Sequence, residues 1–290
     1  MLFIIIAVVL VATVMVPDMA AAWGPSTHLL VGRHVLDTVS SNGAAVGPLL
    51  ASHPLDFLYG SIFADMNLGK KFLFFAKLAH NWRVGFRLLD YAETDANRSC
   101  AYGYLAHLAA DTVSHNDYVP RKLVQQYHKK GKGHIYFEIA FDALLPEDPY
   151  KEVGKVVKTG AANNNRFLES SIRRTLLSFN TNRKLFNGIL KINGNNGVRA
   201  YRDWRAKKVD FLTDEDIQRY LGICESRVTD FLYREKESEC CASDPHGKAT
   251  LKHASRLRRY LREKKRQNNI TPEEVTKALE NLRTRHIEKH

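Results

Sequence analysis

His107, Asp111 and His115 stand in the pattern H-x-x-x-D-x-x-x-H. On a helix turning about 100° per residue, positions four apart drift by only about 40°, so all three side chains project from one face. Imidazole nitrogens and carboxylate oxygens gathered on one face are what a borderline cation such as zinc takes. His134 and Glu138 repeat the four-residue interval in the segment Gly133 to Leu144. Two helices bearing such sets can bracket a metal in the core of a bundle. One such pair is a weak signal, because a lone histidine on an apolar face is more often a core residue; the second copy strengthens it. Three more candidates lie upstream: His28 in Trp23-Gly24-Pro25-Ser26-Thr27-His28, Asp65 in Gly60-Ser61-Ile62-Phe63-Ala64-Asp65, and His80 in His80-Asn81-Trp82.

The elements that must hold these residues read as helices. Apolar positions recur at three- and four-residue spacing, as in Leu29, Leu30, His34, Val35 and in Leu105, Leu108, Ala109, Thr112, without sustained strand alternation. The expected fold is all-α, a compact multi-helix bundle with a metal site in its core and a basic helical C-terminal extension. Breaks are expected at Asn42-Gly43, from Lys129 to Gly133, from Pro146 to Pro149 and from Asn193 to Gly197. No repeat of solenoid period is visible.

Residues Leu2 to Val16 form an uncharged run, too short for a comfortable membrane span and suited to the apolar part of a secretory signal. With Ala20-Ala21-Ala22 as cleavage site, residues 1–22 would be a signal peptide and Trp23 the new N-terminus; an uncleaved anchor is the alternative. The expectation is a secreted or periplasmic protein. Export permits disulfides, yet Cys240 and Cys241 are adjacent and no pairing with Cys100 or Cys224 follows from spacing. Asn97-Arg98-Ser99 and Asn269-Ile270-Thr271 match the glycosylation triplet, which is common by chance.

The 290-residue chain carries 43 Lys and Arg against 31 Asp and Glu, a net charge of +12. That balance points to an anionic partner without choosing between membrane, nucleic acid and phosphorylated substrate. From Lys248 to Arg266 there are nine basic residues and one acidic, with Leu251, Ala254, Leu257 and Leu261 on one helical face. This is a basic amphipathic helix, either docked on the body by its leucines or facing lipid or nucleic acid. A last helix should start at Thr271, with Pro272 at its first position and Glu274 completing a capping box.

In chain order, Trp23, His28, Asp65, His80, His107, Asp111, His115, His134 and Glu138 resemble the ligand series of the zinc-dependent phospholipase C family, relatives of the bacterial phosphatidylcholine-cleaving enzyme and of clostridial alpha-toxin. The resemblance implies three zinc ions. One would take the amine and carbonyl of Trp23 with His28 and Asp111, which requires cleavage to expose that amine. A second would take Asp65, His80, His107 and Asp111, and the third His115, His134 and Glu138. Such ions would neutralise charge developing at phosphorus and acidify a water, with Asp65 as its orienting or deprotonating group. The interval from Asp111 to His115 is tighter than in the best-known phospholipases, so His128 is a rival to His115; helical register favours His115.

The implied activity is hydrolysis of glycerophospholipid phosphodiesters to diacylglycerol and a phosphorylated headgroup at a phospholipid membrane surface; the basic charge adds anionic lipid as the expected partner, and a monomer is expected. The catalytic domain would span 23–235 and the basic helical extension 236–290. S1/P1-type zinc nucleases share the constellation, but their second pair usually reads H-x-x-x-D where this chain has His134-x-x-x-Glu138. Nucleic acid is therefore the alternative substrate, and a non-catalytic lipid-binding protein a third reading. The extension is too short and too helical for the β-sandwich that follows the catalytic domain of alpha-toxin.

Other residues carry less. Phe72, Phe74, Phe75 and Trp82 could line a headgroup pocket but more often such residues are core. His34 and His53 read as structural or exposed, and His246, His253, His286 and His290 have no carboxylate at matching spacing and are assigned no metal. Arg173-Arg174 and the stretch from Arg202 to Lys208 read as solvated helix faces.

Overall fold

A computed structural model describes residues 23–41, 43–64, 80–129, 133–146, 150–171 and 209–287. In order, the helices are α1 (Pro25–Ser41), α2 (Gly47–Ser52), α3 (Pro54–Phe63), α4 (Trp82–Asp90) and α5 (Asp95–Val113), then a π-helical turn (Ser114–Tyr118). They continue with α6 (Val119–Gln125), α7 (His134–Ala143), α8 (Tyr150–Ser171), α9 (Asp214–Arg234), α10 (Lys248–Arg266) and α11 (Pro272–Ile287). Among the described residues there is no strand, so the protein is an all-α bundle. None of its described helices is long and apolar enough to cross a membrane. The signal segment, Asp65, Phe72, Phe74, Phe75, Arg173-Arg174, Asn193 to Gly197, Arg202 to Lys208 and His290 lie outside the described residues.

α5 is the axis of the fold. Almost every residue from Ser99 to Val113 is buried, which is possible because small residues on all sides let neighbours approach from several directions. α3, α4 and α9 pack along it, α1 lies against α3 and α9, and α8 covers α3. The α3–α5 crossing depends on two glycines. A Cβ on Gly60 would lie 1.9 Å from the Cys100 carbonyl oxygen, and one on Gly103 1.9 Å from that of Phe57. No other residue admits that backbone approach.

Local signals explain several boundaries. Asn81 and Thr94 cap α4 and α5, accepting from Val84 N at 2.9 Å and Asn97 N at 3.1 Å. α1 ends before Gly43, whose φ is +74°, a value that glycine adopts without strain. The segment from Tyr102 to Asn116 is not one regular helix, however. Pro120 has no N–H to offer the Asn116 carbonyl, and Val119 N reaches back to Ser114 O to close a wide turn. α11 starts as its capping pattern predicts, with Glu274 N on Thr271 Oγ1 at 3.4 Å. The Glu274 carboxylate does not return to the cap; it pairs with Lys264 Nζ at 3.1 Å and so ties α11 to α10.

α10 docks through its leucine face onto α6 and the π-helical turn. Ala254 and Leu261 are buried, while Lys252, Arg256 and Arg259 stay exposed. Arg258 and Arg262 turn inward and donate to the Lys129 carbonyl at 2.8 and 2.9 Å, satisfying backbone just past α6. All four cysteines are free, with Cys100, Cys224 and Cys240 buried. Asn97 is also buried, and its amide donates to Asn163 O at 3.2 Å and Asn164 Oδ1 at 3.0 Å, so the first glycosylation triplet is a packing element.

Candidate metal centre

Asp111, near the C-terminal end of α5, is fully buried, and its two oxygens face different histidines. Oδ1 lies 3.3 Å from His28 Nε2, brought in by α1. Oδ2 lies 3.1 Å from His107 Nε2, one turn back on α5, and 3.9 Å from His80 Nε2, just before α4. His80 Nε2 and His107 Nε2 are 3.0 Å apart. Two imidazole nitrogens on one tetrahedral zinc stand about 3.3 Å apart, so this spacing suits a shared cation. His28, His107 and Asp111 each offer a ligand atom within 4.8 Å of the others.

The supporting hydrogen bonds set tautomers. A backbone carbonyl can only accept, so His107 Nδ1 donates to Ser61 O at 2.8 Å, and the ring turns Nε2 to Asp111. The Gly60–Gly103 approach is what brings Ser61 O within reach. His115 Nδ1 likewise donates to Pro245 O at 2.6 Å, and its Nε2 sits 3.4 Å from Glu138 Oε1 on α7. The rings of His115 and His134 are edge-on at 6.2 Å. His128 lies beyond the end of α6, so packing brings His115 and not His128 to Glu138. Asp65 lies outside the described residues, and the structure places no side chain for it.

Electrostatics at the site are those of buried, under-satisfied ligand atoms. His28 Nε2, both Asp111 oxygens and Glu138 Oε2 are buried without a hydrogen-bond partner. Burial pushes the Asp111 carboxyl up, but His107 and His28 outweigh it and hold the group well below the usual carboxylate range. Burial lifts Glu138 to about 8 against the pull of His115. Burial also works against a charged His115, yet the Glu138 carboxylate beside it raises the imidazole to about 10. Buried carboxylate oxygens without a well-formed hydrogen bond are costly, and a cation among them would offset that cost, so the donor set fits zinc.

Trp23 is fully buried, its indole N–H donating to Ala110 O at 3.2 Å and its ring stacked on Tyr118 with centroids 4.6 Å apart. Residues 24–28 are held by Asp142 at the end of α7, which accepts from Ser26 N at 3.2 Å, from Thr27 N at 3.3 Å and from the Thr27 hydroxyl. A Cβ on Gly24 would stand 2.0 Å from the Asp142 carboxylate. Sequence reasoning missed Asp142, although it continues the four-residue interval of His134 and Glu138.

Trp82 donates to Ser243 O at 2.9 Å and packs on Phe231, so it is a packing residue here. His34 pairs with Glu225 at 2.6 Å, and His53 lies 3.6 Å from Asp56. Ser243, Pro245 and His246, from the segment between α9 and α10, lie against Trp82, His115 and His80. His246, given no metal role from its sequence spacing, thus lies beside the site. Residues 27–185, more than half of the chain, match a family described as zinc-dependent phospholipase C. Comparison with curated proteins and with solved structures finds no match.

Proposed function

Because the chain belongs to the zinc-dependent phospholipase C family, we propose that it hydrolyses glycerophospholipids to diacylglycerol and a phosphorylated headgroup. The observation that carries the reading is the divided carboxylate of Asp111, one oxygen toward His28 and the other toward His80 and His107. That arrangement supports a bridge between two ions. The His28 and His107 rings are stacked 3.8 Å apart. Two rings at a tetrahedral angle on one zinc would stand about 5 Å apart, so the closer approach suits neighbours on different ions.

In this reading Trp23 through its amine and carbonyl, His28 and Asp111 hold one zinc. Asp65, His80, His107 and Asp111 would hold the second, and His115, His134 and Glu138 the third. Bound zinc supplies Lewis acidity, which neutralises charge on phosphoryl oxygens and makes an adjacent water acidic enough to lose its proton near neutral pH. Asp65 would orient the attacking water or take its proton. Ser61 O and Pro245 O keep His107 and His115 in the tautomer that turns Nε2 inward. Exposure of the Trp23 amine requires removal of residues 1–22, so export and function are linked, and the exposed cations of α10 favour an anionic lipid surface.

Product analysis by mass spectrometry tests this reading. Cleaved, zinc-loaded protein is offered mixed phospholipid vesicles and, in parallel, single-stranded nucleic acid, with Glu138→Ala as control. Diacylglycerol formed only by the intact site is the expected result. Nucleotides without diacylglycerol would transfer the protein to the nuclease reading, which the shared ligand series and the basic tail otherwise support.

A further inference from the structure

Ser243 to Gly247 form a strap against the metal centre, beyond the residues that match the family. Ser243 O accepts from Trp82 Nε1 at 2.9 Å, and Asp244 O from Asn116 Nδ2 at 3.0 Å. Pro245 O holds His115, and Gly247 is pressed so closely that a Cβ there would stand 2.2 Å from His115 O. Gly247 also has φ +53°, where side chains are disfavoured. Thr250 Oγ1 donates to Asn116 Oδ1 at 3.2 Å, anchoring the strap again at the first turn of α10.

His246 rides on this strap. Its side chain is 13% exposed and its ring meets that of His80 edge-on, with centroids 5.8 Å apart. The His80 and His107 rings are 5.0 Å apart. A zinc-bound imidazole has its ring centre about 3.2 Å from the ion, so two rings on one ion stand about 5 Å apart at a tetrahedral angle and at most about 6.4 Å. Both separations lie in that range. His246 Nδ1 is buried without a hydrogen bond, 3.5 Å from Asp244 Oδ1. Asp244 itself is fixed, accepting from His246 N at 3.1 Å and Lys248 N at 3.2 Å. The Nδ1 atoms of His107 and His115 are hydrogen-bonded to backbone carbonyls, leaving Nε2 for the site; His246 Nδ1 faces an oxygen too, a carboxylate at the longer distance of an ion pair. A carboxylate behind one ring nitrogen is a usual support for a metal-ligating histidine.

We propose that His246, oriented by Asp244, is an additional ligand to the ion at His80 and His107, supplied by the segment that follows α9. The inference rests on the zinc reading of that site. It makes the C-terminal extension part of the metal centre and explains why the strap is pinned at Trp82, Asn116 and His115.

The test is made on the full chain beginning at Trp23, loaded with cobalt(II) or zinc. His246→Ala should weaken one ion by at least about tenfold in a chelator-competition titration and change the visible cobalt spectrum. His246→Cys should gain a thiolate-to-cobalt charge-transfer band that the parent protein lacks, a signal that loss of structure does not create. Asp244→Asn should weaken the same ion to a smaller extent. Unchanged ion affinity in His246→Ala, or a folded His246→Cys protein without the band, would overturn the proposal. A parent protein that takes up neither metal would instead sink the zinc reading on which it stands.

Discussion

Asp111 concentrates the chemistry of the molecule in one carboxylate. Its oxygens face separate imidazole sets from separate helices, so Asp111→Asn should remove more than one zinc per chain, whereas His115→Ala should remove one. Zinc counting by inductively coupled plasma mass spectrometry distinguishes the two outcomes. Burial lifts Glu138 to about 8 against the pull of His115, and Glu138 lifts His115 to about 10 against burial, so each holds a proton near neutrality. A cation bound there must displace those protons, so affinity for an ion at His115 and Glu138 should rise with pH toward and through that range and fall on acidification. Calorimetry in buffers of different ionisation enthalpy should show proton release on binding near neutral pH; binding without release would refute the assignment. In the proposed reading the Trp23 amine would become a ligand only after cleavage, so a chain retaining Ala22 should hold one zinc fewer than one that begins at Trp23.

Helices do their work here by how closely they approach. Gly60 and Gly103 let α3 and α5 touch backbone to backbone, and the same contact delivers Ser61 O to His107. Gly103→Ala should therefore destabilise the fold by about 1–3 kcal/mol through overpacking and lower zinc affinity together. Urea unfolding and a metal titration on the same variant would show it; lost stability with unchanged affinity would separate the crossing from the site. In the sequence Gly60 reads only as part of the run leading to Asp65, because a glycine at a helix crossing has no local signature. Pro120, four residues beyond Asn116, does carry a local signal for the π-helical turn, against the continuous helical face that the apolar spacing suggests. Asp142 is legible by interval alone, yet its role as the clamp on residues 24–28 requires the packing of α7 against α1.

Over the whole molecule, the basic tail divides into two parts. Arg258 and Arg262 serve the body by satisfying backbone carbonyls, and Lys252, Arg256 and Arg259 are exposed. The two readings of α10, docked helix and charged face, thus apply to different sides of it. Reversing Lys252, Arg256 and Arg259 to Glu should weaken binding to anionic vesicles several-fold at low salt, with little effect at high salt and no change in zinc content. Sedimentation with vesicles of graded anionic lipid would measure this; unaltered binding would remove α10 from the membrane surface. Deletion of the whole tail is a poorer experiment, because the segment that leads into α10 packs on His115.

By itself the sequence determined what depends on short spacing. The helical class, the two histidine–carboxylate intervals, the basic amphipathic helix and the start of α11 are all set by periodicity and capping within a few residues. Tertiary structure alone decided which Asp111 oxygen meets which histidine, that His115 rather than His128 lies against Glu138, and that residues 243–247 pack on the site. Those outcomes depend on how α1, α5, α7 and the strap pack together. His115 and Pro245 are 130 positions apart, and no local spacing encodes a contact made by the packing of the intervening chain.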